Sequence, residues 1–397
     1  MLYLIVHIGC TTFTVLNIKE GSLNLEFMNV EIQHAYICFA VVMFFMVINF
    51  GGLRLIPNIY LKVMICLFPV ITIYIAIHIS RSSTYVTAIF VIFLWGLFMV
   101  YYWSKISTIA GIIKITMKLL LSNLFAVICG ILICSSLQIL QLYVTIQLNV
   151  FDLISNRMLY VLILFNTYWS FANFICFYKV YATSVVAYHY INKEEHSVLV
   201  CREALRNSFY ALGSISFAGF IISLIYTAQY FLEENENSDN NVRSKFNVDR
   251  LLIRIISCFS DIVVEVIELV HDLTLPYLAI HGESYIQSTI NSYKVYTENS
   301  LLFGGIKALD YSLYLSSFLV YAGCFGSFTY ALNLIPQSLK SECTLRLLII
   351  AVIPLMFYAT TMMTITSSYL GLLYFNAENS DLVKEKNPQI ETLIKSL

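Results

Sequence analysis

Apolar residues run along this chain in long unbroken blocks, and the polar stretches between them are mostly short. A helix needs about 20 apolar residues to cross the ~30 Å hydrocarbon core of a bilayer. Read at that length, the pattern gives nine segments, at 33–52, 59–79, 84–104, 119–146, 157–188, 208–232, 251–279, 305–335 and 346–375. The runs are continuous rather than alternating at every second position, so they predict helices and not barrel strands. The expected fold is an all-α polytopic transmembrane helical bundle, with residues 1–397 forming a single transmembrane domain. The segments at 119–146, 157–188, 251–279, 305–335 and 346–375 are longer than a span needs, so they must tilt, kink or overhang the membrane. Gly96, Gly130 and Gly213 lie within apolar segments, where a missing side chain lets helix backbones approach closely.

Composition supports the pattern. Hydrophobic residues make up 59% of the chain and charged residues 12%, against the ~25% charged typical of soluble domains. The mean hydropathy is +0.78. A net charge of −1 gives no reason to expect nucleic acid as a partner. The ten cysteines form no Cys-x-x-Cys pair and no Cys/His cluster with ligand spacing, so no metal and no cofactor is implied. Most read as small buried hydrophobes, with Cys201 and Cys343, in polar connections, as the more reactive thiols. No P-loop, His-Glu-x-x-His or Gly-x-Ser-x-Gly occurs, so no catalytic residues are assigned and an enzyme is not expected. His189 and His196 read as solvated residues near the membrane surface.

The polar connections suggest sidedness. Residues 189–207 and 280–304 read as cytoplasmic helical connections, 233–250 as an extracellular loop, and 376–397 as a polar C-terminal tail. Lys105, Lys114 and Lys118, then Lys193, Arg202 and Arg206, then Lys294 and Lys307 fall on one side if every segment from 119 to 279 crosses. The excess of Lys and Arg places that side in the cytoplasm.

The sharpest chemical feature is an acidic stripe. Asp261, Glu265, Glu268 and Asp272 are spaced by four, three and four residues, which places them on one narrow face of a helix. Arg254 lies on the same face. Charges inside a bilayer are costly, so such a face meets protein or a watery cavity. One reading is a polar lining that attracts cations. The favoured one is a partly extramembranous helix with its acids in water or paired with bases. The second feature is 28 Tyr and 28 Phe, which suit interface belts and helix packing and can also line a pocket for an organic ligand.

Four stretches carry a family resemblance: the short apolar run before Gly9; FANFICFYKVYATSVVAYHYINKEE, ending near Asn192; ALRNSFYALGSISFAGFIISLIYTAQYFL; and the terminal ITSSYLGLLYF. Together they resemble the insect chemoreceptor superfamily, nearer its gustatory than its odorant branch. In the terminal motif Ser368 and Tyr369 stand for Thr-Tyr and Phe375 for a Gln, while Thr329–Gln337 offers a second incomplete copy. The resemblance implies seven spans, a cytoplasmic N-terminus and an extracellular C-terminus. It further implies a homo- or heterotetrameric, ligand-gated cation channel in the cell membrane, opened by a small-molecule tastant. Ser368, Tyr369, Leu372 and Phe375 would then line the pore near the end of the last helix. The competing reading is an ion-coupled secondary transporter that uses the Asp261–Asp272 stripe. Sidedness of the tail separates the two, because nine crossings leave the C-terminus in the cytoplasm and the channel layout leaves it outside.

Overall fold

The computed structural model describes residues 28–79, 105–150, 157–191, 197–240, 266–298, 300–335 and 340–386, with single positions at Phe93, Gly96, Val100, Trp103, Pro388, Gln389 and Leu393. Among these there is no strand. The helices are α1 (Met28–Leu55), α2 (Pro57–Ile79), α3 (Ile106–Ser122), α4 (Leu124–Val150), α5 (Arg157–Ile191) and α6 (Ser197–Tyr210). They continue as α7 (Leu212–Asn240), α8 (266–281), α9 (Tyr285–Glu298), α10 (Ser300–Leu334), α11 (Lys340–Glu378) and α12 (Ser380–Lys386).

Six of the described helices contain a stretch long and apolar enough to cross a membrane: Gln33–Leu55, Leu124–Thr145, Val161–Ile191, Leu212–Tyr230, Leu315–Leu334 and Leu347–Glu378. The chain is therefore a polytopic helical membrane protein. The expected segment at 84–104 and the first part of 251–279 lie outside the described residues. α5 and α10 have 35 residues each and α11 has 39, so at ~1.5 Å per residue they are ~50–60 Å long and extend past the hydrocarbon. α7 stays helical to Asn240, into the stretch read from sequence as a loop. With no Pro or Gly after Gly219 to stop it, a formed helix adds each further residue at little cost.

α5 and α11 form the centre of the bundle. α5 packs on α7, α11, α6 and α4, and α11 also packs on α10, α1 and α4. Small residues set these distances. A Cβ at Gly371 of α11 would meet Thr183 Cγ2 of α5 at 2.8 Å, and one at Gly130 of α4 would collide with the Tyr181 ring. Hydroxyls tie the same helices. Tyr178 and Thr364 share a 2.5 Å hydrogen bond, Tyr181 donates to Ala126 O at 2.7 Å, and Thr183 donates to Ser367 O at 3.2 Å. We expect Gly130→Val to force α4 from α5 and destabilise the protein by ~1–3 kcal/mol, read as a lower Tm of the purified protein.

A second buried polar junction joins α1, α2, α10 and α11. Asn49 Nδ2 donates to Ser316 Oγ at 3.1 Å and to Tyr358 Oη at 2.8 Å, while Asn49 Oδ1 accepts from Tyr60. This network is neutral and bonded throughout, as a membrane interior requires.

The two ends of the bundle differ. At one end His34 of α1 bonds Ser327 of α10 and Leu347 O of α11. At the other, His189 bonds Asn123, Asn207 donates to Ala279 O, and His281 contacts Glu378. This second end gathers α3, α6, α9 and α12 with the C-terminal tail, so the tail lies beside the 189–207 and 280–304 connections. The channel layout expected from the resemblance puts the tail on the opposite side of the membrane from those connections.

Candidate functional site

α8 carries Glu268 and Asp272 one turn apart, turned toward α5 and α7. Asp272 forms an ion pair with Lys179 of α5, with the two side chains 40% and 20% exposed. Glu268 accepts a hydrogen bond from the Tyr226 hydroxyl of α7. The other acids of the stripe, Asp261 and Glu265, lie outside the described residues, as does Arg254. Two carboxylates against one ammonium leave this cluster with one net negative charge among the described residues. Tyr226 is a neutral partner, so it orients the Glu268 carboxylate without cancelling its charge.

The helix that holds the acids is fixed from behind. His271, between them in sequence, is buried. Its two ring nitrogens face carbonyl oxygens, Nδ1 at 2.8 Å from Ile267 O of its own helix and Nε2 at 3.0 Å from Ala218 O of α7, and Nδ1 also lies 3.3 Å from the Tyr285 hydroxyl. Burial pushes the Tyr285 phenol up, so that hydroxyl keeps its proton. Below it, Leu275, Leu278 and Ala279 pack with Cys176 and Val180 of α5 and Ile215 and Ala218 of α7. Gly282 ends α8 with φ +68°, a left-handed turn that glycine adopts without strain, and its N–H bonds Leu278 O at 2.8 Å.

Beside the acids is an aromatic wall. Tyr168 of α5 and Tyr226 of α7 have ring centroids 6.0 Å apart. Phe165, Trp169 and Phe220 form a closed triangle with every centroid separation at 5.7 Å. The Trp169 indole is anchored by a 3.1 Å bond from Nε1 to Ser216 O. One turn further along α5, Asn173 is buried against Gly219, and neither its Oδ1 nor its Nδ2 has a hydrogen-bond partner among the described residues. A buried amide left without partners is costly, so Asn173 is poised to bond something that enters. Ring faces beside an uncancelled carboxylate are what a quaternary ammonium group requires.

The pore candidates are placed differently. Ser368, Tyr369, Leu372 and Phe375 are all buried inside the bundle at 2% exposure or less, and Phe375 stacks on Tyr190 at 5.5 Å. Cys201, expected to be reactive, is buried and accepts a 3.4 Å bond from the Tyr181 hydroxyl, because it lies on the inward face of amphipathic α6. The side chain of Cys343 lies outside the described residues. Lys179, Tyr168 and Tyr226 were not singled out from sequence. Lys179 had a readable signal, as it is the sole Asp, Glu, Lys or Arg in the apolar span from Val161 to Ile191.

Residues 84–375 match the model of a family described as plasma-membrane choline transporter, over some three quarters of the chain. The chain belongs to the plasma-membrane choline transporter family. Among curated proteins, nothing matches it. The family places the chain in the cell membrane as a multi-pass protein of a transporter family. α5, α7, α8 and the whole acid–aromatic cluster lie inside the matched stretch.

This family corrects the resemblance to insect chemoreceptors. The chain is not assigned to the gustatory receptors, and the receptor, taste and ligand-gated channel functions that followed from them fall with it. The physical reason lies in the motif. Ser-Tyr followed by apolar residues is a pattern that a long transmembrane helix supplies by composition alone, and four such residues here fill a protein core. A residue lining a pore between subunits would instead lie on the surface of one subunit.

Proposed function

We propose that this chain carries a small organic cation of the choline class across the plasma membrane, and that the cluster of Tyr168, Tyr226 and Glu268 recognises it. The observation that carries the reading is the Glu268 carboxylate held by the neutral Tyr226 hydroxyl, with the Tyr168 ring 6.0 Å from the Tyr226 ring on the neighbouring membrane helix. The trimethylammonium group cannot donate hydrogen bonds, so it is recognised by charge and by ring faces rather than by a bonded cage. The choline hydroxyl can both donate and accept, and Asn173 offers both functions. The family match supports both the substrate class and a transporter over an ion-conducting pore.

Asp272 is already neutralised by Lys179. A coupling proton or sodium ion would have to displace that lysine, whereas Glu268 is the carboxylate open to a cation. Sidedness follows the basic end of the bundle, which carries Arg54, Lys114, Lys118, Arg202 and Arg206 and is cytoplasmic by charge bias.

The test is uptake of labelled choline by cells expressing the full chain, against cells carrying the empty vector. Saturable uptake that tetramethylammonium competes is the expected result. Uptake no greater than the vector control would remove choline as the substrate.

A further inference from the structure

A cavity of about 760 Å³ opens at the basic end, away from the acid–aromatic cluster. Its walls include Arg54 from the end of α1, Lys114 and Lys118 from α3, and Gln389 and Leu393 from the C-terminal tail. We infer that this cavity is a binding site for a phosphate-bearing anion that the protein holds at its membrane surface.

Three cations converge here, and none forms an ion pair among the described residues. Lys114 and Lys118 are one helical turn apart, so their charges repel each other, and an anion between them removes that repulsion. Arg54 sits in the last turn of α1, where the helix carbonyls favour a positive charge and hold it in place. The remaining wall is apolar, from Ile115 and Leu393. The volume is in the range that accommodates an organic molecule rather than a lone ion (~300–1,000 Å³). A group with a charged phosphate and a short apolar stem matches both walls. Cations beside apolar surface at a membrane boundary recognise lipid headgroups by the same chemistry as soluble phosphates.

The tail completes the site. A Cβ at Gly111 would lie 2.8 Å from Leu393 Cδ2, so the bare glycine lets the tail dock over α3. Arg54, Gln389 and Leu393 all lie outside the stretch matched to the transporter family. The site is therefore built partly by segments beyond that stretch, and it does not depend on the substrate assigned above.

The purified full chain in detergent is titrated separately with short-chain phosphatidic acid, short-chain phosphatidylcholine and inorganic phosphate, with Tm as the readout. Phosphatidic acid is expected to raise Tm in a saturable way, and the zwitterionic lipid is not. Stabilisation by inorganic phosphate at similar concentration also supports the site and identifies a soluble anion as its occupant. The paired substitution Lys114→Gln and Lys118→Gln should weaken binding roughly 25-fold, about fivefold for each charge. Lys114→Arg with Lys118→Arg should retain it. If the paired Gln protein does not fold, Arg54→Gln tests the same site with an expected fivefold loss. Equal responses to all three additives, or a charge-depleted protein that binds as wild type, would overturn the inference.

Discussion

Glu268→Gln is expected to lower choline uptake by roughly ten- to a hundredfold while leaving the amount of protein at the cell surface unchanged. The argument is electrostatic. Two unit charges ~5 Å apart interact by ~3 kcal/mol at an effective dielectric of ~20, and ~1.4 kcal/mol is a tenfold change in an equilibrium constant. Glu268 is exposed at one edge of the cluster, and water screens part of that interaction, which sets the lower bound. Glutamine keeps the shape and still accepts from Tyr226, so the helix packing is not disturbed. Glu268→Asp keeps the charge with a shorter reach and should recover part of the uptake. Tyr226→Phe removes the hydroxyl that aims the carboxylate but keeps the ring face, so a smaller loss, about three- to tenfold, is expected. Labelled-choline uptake, normalised to surface expression, separates these outcomes. Unchanged uptake in Glu268→Gln would move substrate recognition away from this cluster without touching the transporter assignment.

Much of the fold could be read from hydrophobic continuity alone. Segments such as 119–146 and 346–375 are too long and too apolar to be anything but membrane helices; the bundle contains the second within α11, while the first is broken at Asn123, its first four residues ending α3 and the rest lying in α4. The overhang of long helices was equally legible, because length and bilayer thickness are independent of packing. Function was less so. The terminal Ser-Tyr motif is short and mostly apolar, and apolar residues in a membrane helix serve lipid contact and core packing alike. Tyr369 shows the ambiguity, since its sequence surroundings suit a pore and its side chain fills a core. The acidic stripe was visible as a pattern, but its partners were not. Tyr226 and Lys179 come from helices 42 and 93 residues away in sequence, and helical periodicity carries no information about which faces meet across the bundle. The lone charge of Lys179 in an apolar span was a legible signal, although it was not singled out, and its pairing with Asp272 was not legible from spacing.

The acid–aromatic cluster also explains why one carboxylate and not the other is assigned to the substrate. Both lie on the same face of α8, and both are costly in a membrane. Asp272 has that cost offset by a lysine. Glu268 has it offset only in part by a hydroxyl, which stabilises a carboxylate less than a full charge does. The residual demand for a cation is therefore local to Glu268, next to the Tyr168 and Tyr226 rings. His271 and Tyr285 fix the rotation of α8, which keeps the Glu268 carboxylate at the exposed edge of the cluster beside the Tyr226 hydroxyl.

Lys179→Gln is expected to have two effects of opposite sign. It strands Asp272 against α5 with no counter-charge, and breaking a fully buried pair in this way costs ~3–5 kcal/mol. Here the side chains are 20% and 40% exposed, so a loss of about 1–3 kcal/mol in stability is expected, read as a lower Tm of the purified protein. The same change raises the net charge of the cluster from one negative to two. Protein that folds should therefore bind choline more tightly, with KM for uptake falling several-fold while the amount of active protein drops. A merely structural lysine would give the first effect without the second. Asp272→Asn in the Lys179→Gln background removes the stranded charge, returns the cluster to one negative charge and should restore most of the stability. The double-mutant cycle then isolates the pair, and a coupling energy near zero would show that Lys179 and Asp272 do not support each other in the folded protein. Exchanging the two, with Lys179→Asp and Asp272→Lys, preserves the net charge and should return KM toward wild type, because the substrate responds to the sum of charges around Glu268 rather than to the helix that supplies them.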